Sequence, residues 1–235
     1  AEMPAIAFHK GQYIPLEEAK VGIMTHALHY GTAVFEGIRG NWNAQKEELF
    51  IFRLREHMAR LLQGCSILRI KIPYNQDQLC DIAVQVVARS GFTEDVYIRP
   101  IAYKSAEKVA NLNLLSLEDG FSLLSIPFGK YIDAEGAIHC CTSSWRRYED
   151  SMAPPRVKLA GLYINSILAK TDAIAAGFDE AILLNQAGHV CEGSGENIFL
   201  VTDGKLHTPT LQDNTLPGIT RHTIIELARH ELSLE

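Results

Sequence analysis

Two turn signals late in the chain, Asn185 to Gly188 and Asp203-Gly204, each stand between short runs of strand-forming residues, and they constrain the fold more than any other feature. Ala181-Ile182-Leu183-Leu184 returns as His189-Val190-Cys191, and Asn197-Ile198-Phe199-Leu200-Val201 returns as Lys205-Leu206-His207. Successive hairpins favour an antiparallel sheet. Upstream, Ile138-His139-Cys140-Cys141-Thr142 reads as a strand, and residues 159–176 read as a helix ended by Gly177, with Leu162, Ile164, Ile167 and Leu168 as its apolar contacts. Pro217 begins a last helix through Ile219, Ile224, Ala228 and Leu232.

The N-terminal part mixes the same two periods. Ile6-Ala7-Phe8 and Gln12-Tyr13-Ile14 flank a Gly11 turn, and residues 49–54 alternate as a strand. That strand runs into a helix, because Leu54, Met58, Leu61, Leu62, Cys65 and Leu68 recur at spacings of three and four. Leu79, Ile82, Ala83 and Val86 predict a second helix stopped near Gly91, and residues 96–103 and 119–126 predict strands. Pro127-Phe128-Gly129-Lys130-Tyr131 breaks the pattern. The expected division is an α+β small domain over 1–125, a connection over 126–136 and a C-terminal domain over 137–235.

Composition narrows the function. Hydrophobic residues make up 47 % of the 235 and charged residues 21 %, which is ordinary globular usage. With 22 Lys and Arg against 28 Asp and Glu, a net charge of −6 offers little attraction to a phosphate backbone, so nucleic acid is not an expected partner. No apolar run reaches the ~20 residues of a membrane span, and Ala1-Glu2-Met3-Pro4 lacks the layout of a secretory signal, so a soluble cytoplasmic protein with no membrane partner is expected. Cys65, Cys80, Cys140, Cys141 and Cys191 form no CxxC pair and read as reduced thiols. His26 and His29 lack a third ligand nearby in sequence, so no metal site is expected.

The chemistry concentrates in a few places. Lys158 follows Ala153-Pro154-Pro155-Arg156-Val157 and opens an apolar stretch. Alone it would be a solvated helix end; with the groups downstream it suits an amine nucleophile that must shed its proton and attack an aldehyde held by a phosphate grip. Glu192 lies in Cys191-Glu192-Gly193-Ser194-Gly195-Glu196, where the glycines allow close backbone approach and a carboxylate facing a pyridine nitrogen would keep that ring protonated. Leu216-Pro217-Gly218-Ile219-Thr220-Arg221 presents free amides at a helix start, suited to phosphate. Arg55, at a strand-to-helix junction, offers a bidentate grip on the same group, or else a surface ion pair.

Together with Ala27-Leu28-His29-Tyr30-Gly31-Thr32-Ala33-Val34-Phe35-Glu36-Gly37-Ile38-Arg39, Arg55-Glu56-His57-Met58 and Tyr97-Ile98-Arg99-Pro100, these segments resemble the class IV, or fold-type IV, pyridoxal-phosphate enzymes. The resemblance is greatest to branched-chain amino acid aminotransferases and covers nearly the whole chain. It implies a two-domain α+β fold like that of D-amino acid aminotransferase, with 137–235 as the domain that binds pyridoxal 5'-phosphate. By the same resemblance Lys158 is the covalent anchor and general acid/base, Glu192 the partner of the ring nitrogen and Tyr163 the phenol bonded to the ring oxygen. Arg55, Ile219 and Thr220 match phosphate ligands, Ile219 through its backbone.

The implied reaction moves the amino group of leucine, isoleucine or valine to 2-oxoglutarate, giving a branched-chain 2-oxo acid and glutamate. Tyr97 and Arg99, in a YxR pattern, match the branched-chain group; there the tyrosine holds the α-carboxylate, while the arginine, with the residues matching Tyr30 and Tyr131, receives the distal carboxylate of glutamate. Phe35, Phe128 and Tyr163 supply aromatic walls, although packing alone also accounts for the two phenylalanines. A homodimer or hexamer follows, since family sites borrow residues from the neighbouring subunit. Residues 104–118 lack the Gly/Pro-rich loop of bacterial relatives, and the family continues several tens of residues past the position of Glu235 with a Gly-Thr turn, so the C-terminal part is expected to be incomplete. The alternatives are an (R)-amine or D-amino acid transaminase of the same fold, or a truncated relative that binds the cofactor without turnover.

Overall fold

The computed structural model describes residues 5–129 and 136–232. The chain divides into two compact units, Ala1–Asp133 with Lys158–Gly161, and Ala134–Val157 with Leu162–Glu235. The second unit is therefore not a continuous run.

In the first unit, β1 (Ile6–His9) and β2 (Gln12–Pro15) form the opening hairpin, and α1 (His26–Tyr30) is a short turn of helix closed by Gly31 at φ +63°. Next come β3 (Ala33–Phe35), β4 (Ile38–Asn43), β5 (Glu48–Ile51), α2 (Leu54–Ile67), α3 (Gln76–Ser90), β6 (Val96–Lys104) and β7 (Asp119–Pro127). All these strands pair antiparallel, in the order β2-β1-β7-β6-β4-β5, with β3 also on β6. The predicted strand over 49–54 stops at Ile51, because Arg53 turns the chain at φ +48° and starts α2.

Pro100 sits in the middle of β6, a place normally closed to proline because it has no N–H for the ladder. Its register explains the exception. β3 ends with Phe35 opposite Ile101 and β4 begins with Ile38 opposite Ile98, so Pro100 faces the break at Glu36-Gly37. Its carbonyl accepts the Glu36 N–H at 3.1 Å.

Helices α2 and α3 pack on this sheet through Met58, Leu61 and Cys65 and through Leu79, Ile82, Ala83 and Val86, all buried with Ala7, Ile98 and Leu123. At ~25 cal/mol per Å² of apolar surface, each fully buried Leu or Met contributes about 1.5–3 kcal/mol, so this one-sided core dominates the unit's stability. A reciprocal Asn75/Gln78 capping box starts α3 and Gly91 at φ +64° ends it, as its sequence predicts.

Charge is buried here too. The Glu36 carboxylate, fully buried, accepts from His57 Nδ1 at 2.8 Å and from Arg60 Nε and Nη2 at 2.7 and 2.8 Å, which ties α2 to the β3/β4 break. Burial pushes the Glu36 carboxyl up, but the Arg60 and His57 hydrogen bonds outweigh it and hold it below the ordinary carboxylate range.

The second unit holds β8 (Cys140–Arg146), α4 (Tyr163–Ala175), β9 (Glu180–Leu184), β10 (Val190–Gly193), β11 (Leu200–Thr202), β12 (Lys205–His207) and α5 (Ile219–His230). Both predicted hairpins form. They do not join into one antiparallel sheet: β9 pairs β8 in parallel, with α4 as the crossover, and β11-β12 is a separate two-stranded ribbon. Ala169 and Ala173 of α4 pack on Ala181 and Leu183 of β9.

The predicted helix over 159–176 starts later than expected. Leu159 bridges Val34 of β3, residues Ala160–Leu162 form a 3-10 turn, and α4 proper begins at Tyr163. The backbone is captured before it can coil: Phe35 N–H donates to the Lys158 carbonyl and Gly161 N–H to the Gly31 carbonyl, each at 3.1 Å. A Cβ on Gly31 would stand 2.4 Å from the Gly161 Cα, so the two chains meet only as glycines. No helix among the described residues is long and apolar enough to cross a membrane.

Candidate active site

Lys158 is thus an extended residue at the edge of β3 rather than the first residue of a helix. Its Nζ lies 6.0 Å from the centroid of the Phe35 ring. The Arg99 guanidinium lies over the same ring at 4.3 Å and donates from Nη2 to the Tyr97 hydroxyl at 2.6 Å. Tyr97 and Arg99 are two apart on β6, so their side chains leave one face of the strand together. The Phe128 ring follows 5.1 Å from that of Tyr97, with Arg39 over it at 5.2 Å. Five residues singled out by the sequence, Phe35, Tyr97, Arg99, Phe128 and Lys158, form one contiguous cluster in this unit.

Tyr30 ends α1, where its hydroxyl accepts the Ala110 N–H at 2.8 Å and its ring stacks on His26 at 4.5 Å. His26 is buried with both ring nitrogens bonded, to Thr32 Oγ1 at 2.8 Å and the Asn111 carbonyl at 2.7 Å, which makes it a loop anchor. Arg55 is in the first turn of α2, its side chain 63 % exposed and ion-paired with Asp77 of α3. The Asp77 carboxylate beside it pushes the Arg55 guanidinium further above its already high range. Tyr131 lies outside the described residues.

In the second unit, Glu192 sits on β10, buried, with Arg147 Nη2 at 2.7 Å from its Oε1. Its Oε2 accepts from the Leu216 N–H at 3.0 Å and from Asn197 Nδ2 at 3.3 Å. Asn197 also donates to the Leu216 carbonyl at 3.0 Å, and its Oδ1 lies where a Cβ on Gly218 would stand, 1.9 Å away. A side chain at 218 would fill the space that brings this loop onto Asn197. Gly218 is the N-cap of α5 and supplies no capping side chain, so the first N–H groups of the helix, those of Ile219 and Thr220 among them, have no acceptor within the helix. Tyr163 opens α4 one turn before Ser166, which accepts from Arg147 Nη1 at 3.3 Å.

Arg147, Asn197 and Ser166 were not singled out from sequence. A signal existed for the first: a carboxylate as buried as Glu192 demands a cation, and Arg146-Arg147 closes the strand two places away in the same sheet.

The donor set suits a phosphorylated pyridine carrying an aldehyde. The first unit carries an amine and an arginine at one aromatic face, and the second, taken by itself, carries a buried carboxylate paired with a guanidinium and a helix start with free N–H groups. Among the described residues, no group of three or more His, Cys, Asp or Glu side chains is placed to hold a metal ion.

The chain as a whole is similar to known proteins. The profile of the family described as "Amino-transferase class IV" matches residues 33–235, and the chain belongs to that family. It is 45 % identical over 229 residues to the probable branched-chain-amino-acid aminotransferase of Aquifex aeolicus (strain VF5), covering 97 % of this chain and 73 % of that protein. Among solved structures it superposes with a TM-score of 0.92 on the branched-chain aminotransferase of Thermoproteus uzoniensis with norvaline, at 45 % identity over 97 % of this chain and 75 % of that one. The branched-chain amino acid aminotransferase of Thermobaculum terrenum in its PLP-bound holo-form also gives 0.92, at 37 % identity, covering 100 % of this chain and 76 % of that one. The chain thus spans about three quarters of the length of these relatives.

Proposed function

We propose that this chain is a pyridoxal-phosphate-dependent transaminase that moves the amino group of leucine, isoleucine or valine to 2-oxoglutarate. The observation that carries the reading is Lys158 at the Phe35 ring, beside an arginine bonded to Tyr97, in a chain 45 % identical to proteins named for that reaction. The bound cofactor supplies an aldehyde that accepts the amino group and a protonated ring that withdraws electrons from the carbon losing its hydrogen.

The chain's own residues do the rest. Lys158 Nζ would hold the cofactor through its aldehyde and, as the amine beside the substrate, would carry the α-proton. Glu192 holds a proton at the ring nitrogen, and Tyr163 bonds the ring oxygen. The N–H groups of Ile219 and Thr220 at the start of α5 would bind phosphate, and Arg55, on α2, would offer a guanidinium for the same chemistry. Tyr97 takes the α-carboxylate, and Arg99 with Tyr30 and Tyr131 takes the distal carboxylate of glutamate. Phe35 and Phe128 line the side-chain pocket and exclude water, so one pocket serves both apolar and charged substrates.

We further infer that the chain self-associates. Ile23, Leu28, Leu112 and Leu115 are all strongly exposed, the last two at 81 %. Their segments are tied together by the Thr25–Glu107 bridge and the His26–Asn111 bond, making one apolar surface that favours a covering partner. Five unpaired cysteines support a reducing compartment, the cytoplasm.

The test is spectroscopic. L-leucine, D-alanine and (R)-1-phenylethylamine are added separately to the holoprotein. Only L-leucine is expected to bleach the visible band of the bound cofactor, and Lys158→Ala to abolish turnover. A response to the D- or (R)-amine instead would keep the family and overturn the substrate.

A further inference from the structure

Glu192 and Arg147 form a buried ion pair across one sheet, Arg147 following the end of β8 and Glu192 lying within β10, the two strands that flank β9. Resting on the reading above, in which Glu192 faces the cofactor's ring nitrogen, we propose that Arg147 is a positioning residue that locks Glu192 in its ionised form, so that the proton they share stays on the ring nitrogen.

The problem it solves is electrostatic. A protonated pyridine against a carboxylate in a dry site can pass its proton across: the N–H bond breaks, an O–H bond forms, and two charges become none. Burial favours that neutral pair, because each isolated charge costs several kcal/mol out of water. The ring would then lose the positive charge that makes it an electron sink.

A guanidinium behind the carboxylate reverses the balance. Arg147 is 7 % exposed, and its Nη2 reaches Glu192 Oε1 at 2.7 Å. If Glu192 took the proton, Arg147 would be left as a buried cation without its counter-charge, the costly half of a broken ion pair. Guanidinium keeps its charge throughout the pH range in which proteins work, so the lock does not titrate away.

The arginine is itself held in place. Its Nη1 donates to Ser166 Oγ at 3.3 Å, its guanidinium stacks on the Tyr148 ring at 4.4 Å, and its backbone N–H donates to the Leu184 carbonyl at 2.8 Å. The other carboxylate oxygen meets two more N–H donors, from Leu216 and Asn197, and both favour the anion. The nearby titratable groups do not compete. Burial pushes the Cys191 thiol up to about 12 and the Tyr148 phenol above its ordinary range, so both are neutral at pH 7; Asp213 is engaged by Thr210 and His189, and Glu149 by Asn214.

The experiment reads the proton directly. Holoprotein is prepared with pyridoxal phosphate labelled with nitrogen-15 in the ring, and the ring-nitrogen chemical shift is recorded by NMR at pH 7.5 for the parent protein, Glu192→Gln, Arg147→Gln and Arg147→Lys. The parent is expected at the pyridinium position. Both Gln variants are expected to move toward neutral pyridine, and Arg147→Lys, which keeps the charge, to return to the parent shift. A folded Arg147→Gln variant that stays at the pyridinium position while Glu192→Gln moves would overturn the role of Arg147 alone. If Glu192→Gln does not move the shift, the placement of Glu192 on the ring nitrogen fails, and the inference with it.

Should Arg147→Gln not fold, Arg147→His supplies the test within one protein. Its imidazole is charged at pH 5.5 and neutral at pH 8.5, an ordinary histidine titrating near ~6.5. The ring shift should then follow pH in that variant across a range where the parent stays flat, and a flat variant would refute the lock.

Discussion

Arg99 carries the substrate argument because it makes three contacts at once: a ring face on Phe35, a second on Tyr97, and a hydrogen bond to the Tyr97 hydroxyl. Its buried Nε has no hydrogen-bond partner among the described residues, which leaves donor capacity for an incoming anion. Arg99→Leu is therefore expected to lower kcat/KM for glutamate and 2-oxoglutarate by about 10- to 100-fold, the worth of a charge-assisted bidentate contact, while leucine loses far less. Steady-state kinetics with each substrate checks this, and equal losses would remove Arg99 from the distal-carboxylate site. Residues of this kind were legible in the sequence because their chemistry is odd for their setting: a lysine in an apolar stretch, a carboxylate among glycines. Arg147 was not. Its partner lies 45 positions further along the chain, and β9, paired in parallel with β8 and antiparallel with β10, brings the two together.

Among the elements, α2 is the one whose attachment depends on charge. The Glu36 carboxylate joins it to the β3/β4 break through His57 and Arg60, with no exposure to water. Arg60→Ala strands that carboxylate, so urea unfolding should show a loss of about 3–5 kcal/mol. Acid should act through the same group. Because Glu36 titrates below its ordinary value of 4.5, its contribution is fully present above that pH and is lost as pH falls toward its lower folded value. Thermal unfolding between pH 6 and 3 should fall less steeply in Glu36→Gln than in the parent; parallel slopes would show that another carboxylate governs acid stability. Helices α2, α3 and α5 and both hairpins followed from periodicity and turn chemistry, which are local. The 159–162 stretch did not, since its apolar spacing fits an α-helix, whereas the Val34–Leu159 bridge and the Gly31–Gly161 approach, both distant backbone contacts, delay the start of α4 to Tyr163.

At the scale of the whole molecule, the exposed leucines of the 107–117 segment make a prediction about assembly. Leu112→Lys combined with Leu115→Lys removes two side chains exposed at 81 % and places charge on the surface inferred to be covered. Light scattering should show the mass falling toward that of one chain, 26.1 kDa, with secondary structure unchanged, whereas an unaltered mass would place the interface elsewhere. The family was readable because several motifs occur in the right order, whereas the parallel β8–β9 pairing was not, because two successive hairpins look locally like one antiparallel sheet. The gathering of Lys158–Gly161 into the first unit was not, because nothing in the local sequence marks a short segment that crosses out of its surroundings.

That crossing also bears on the order in which the molecule is made. Chains fold as they leave the ribosome, N-terminal portions first, at roughly 5–20 residues per second. By the time Pro127 has emerged, β1 to β7 are all available, but the free edge of β3 at Val34 and Phe35 has to wait for Lys158 and Leu159. The Lys158 side chain therefore arrives at its aromatic neighbours after their sheet can already have formed, as a late insertion into a prepared edge. A ribosome stalled before residue 158 would hold the Phe35 ring and its sheet without the lysine that packs against them.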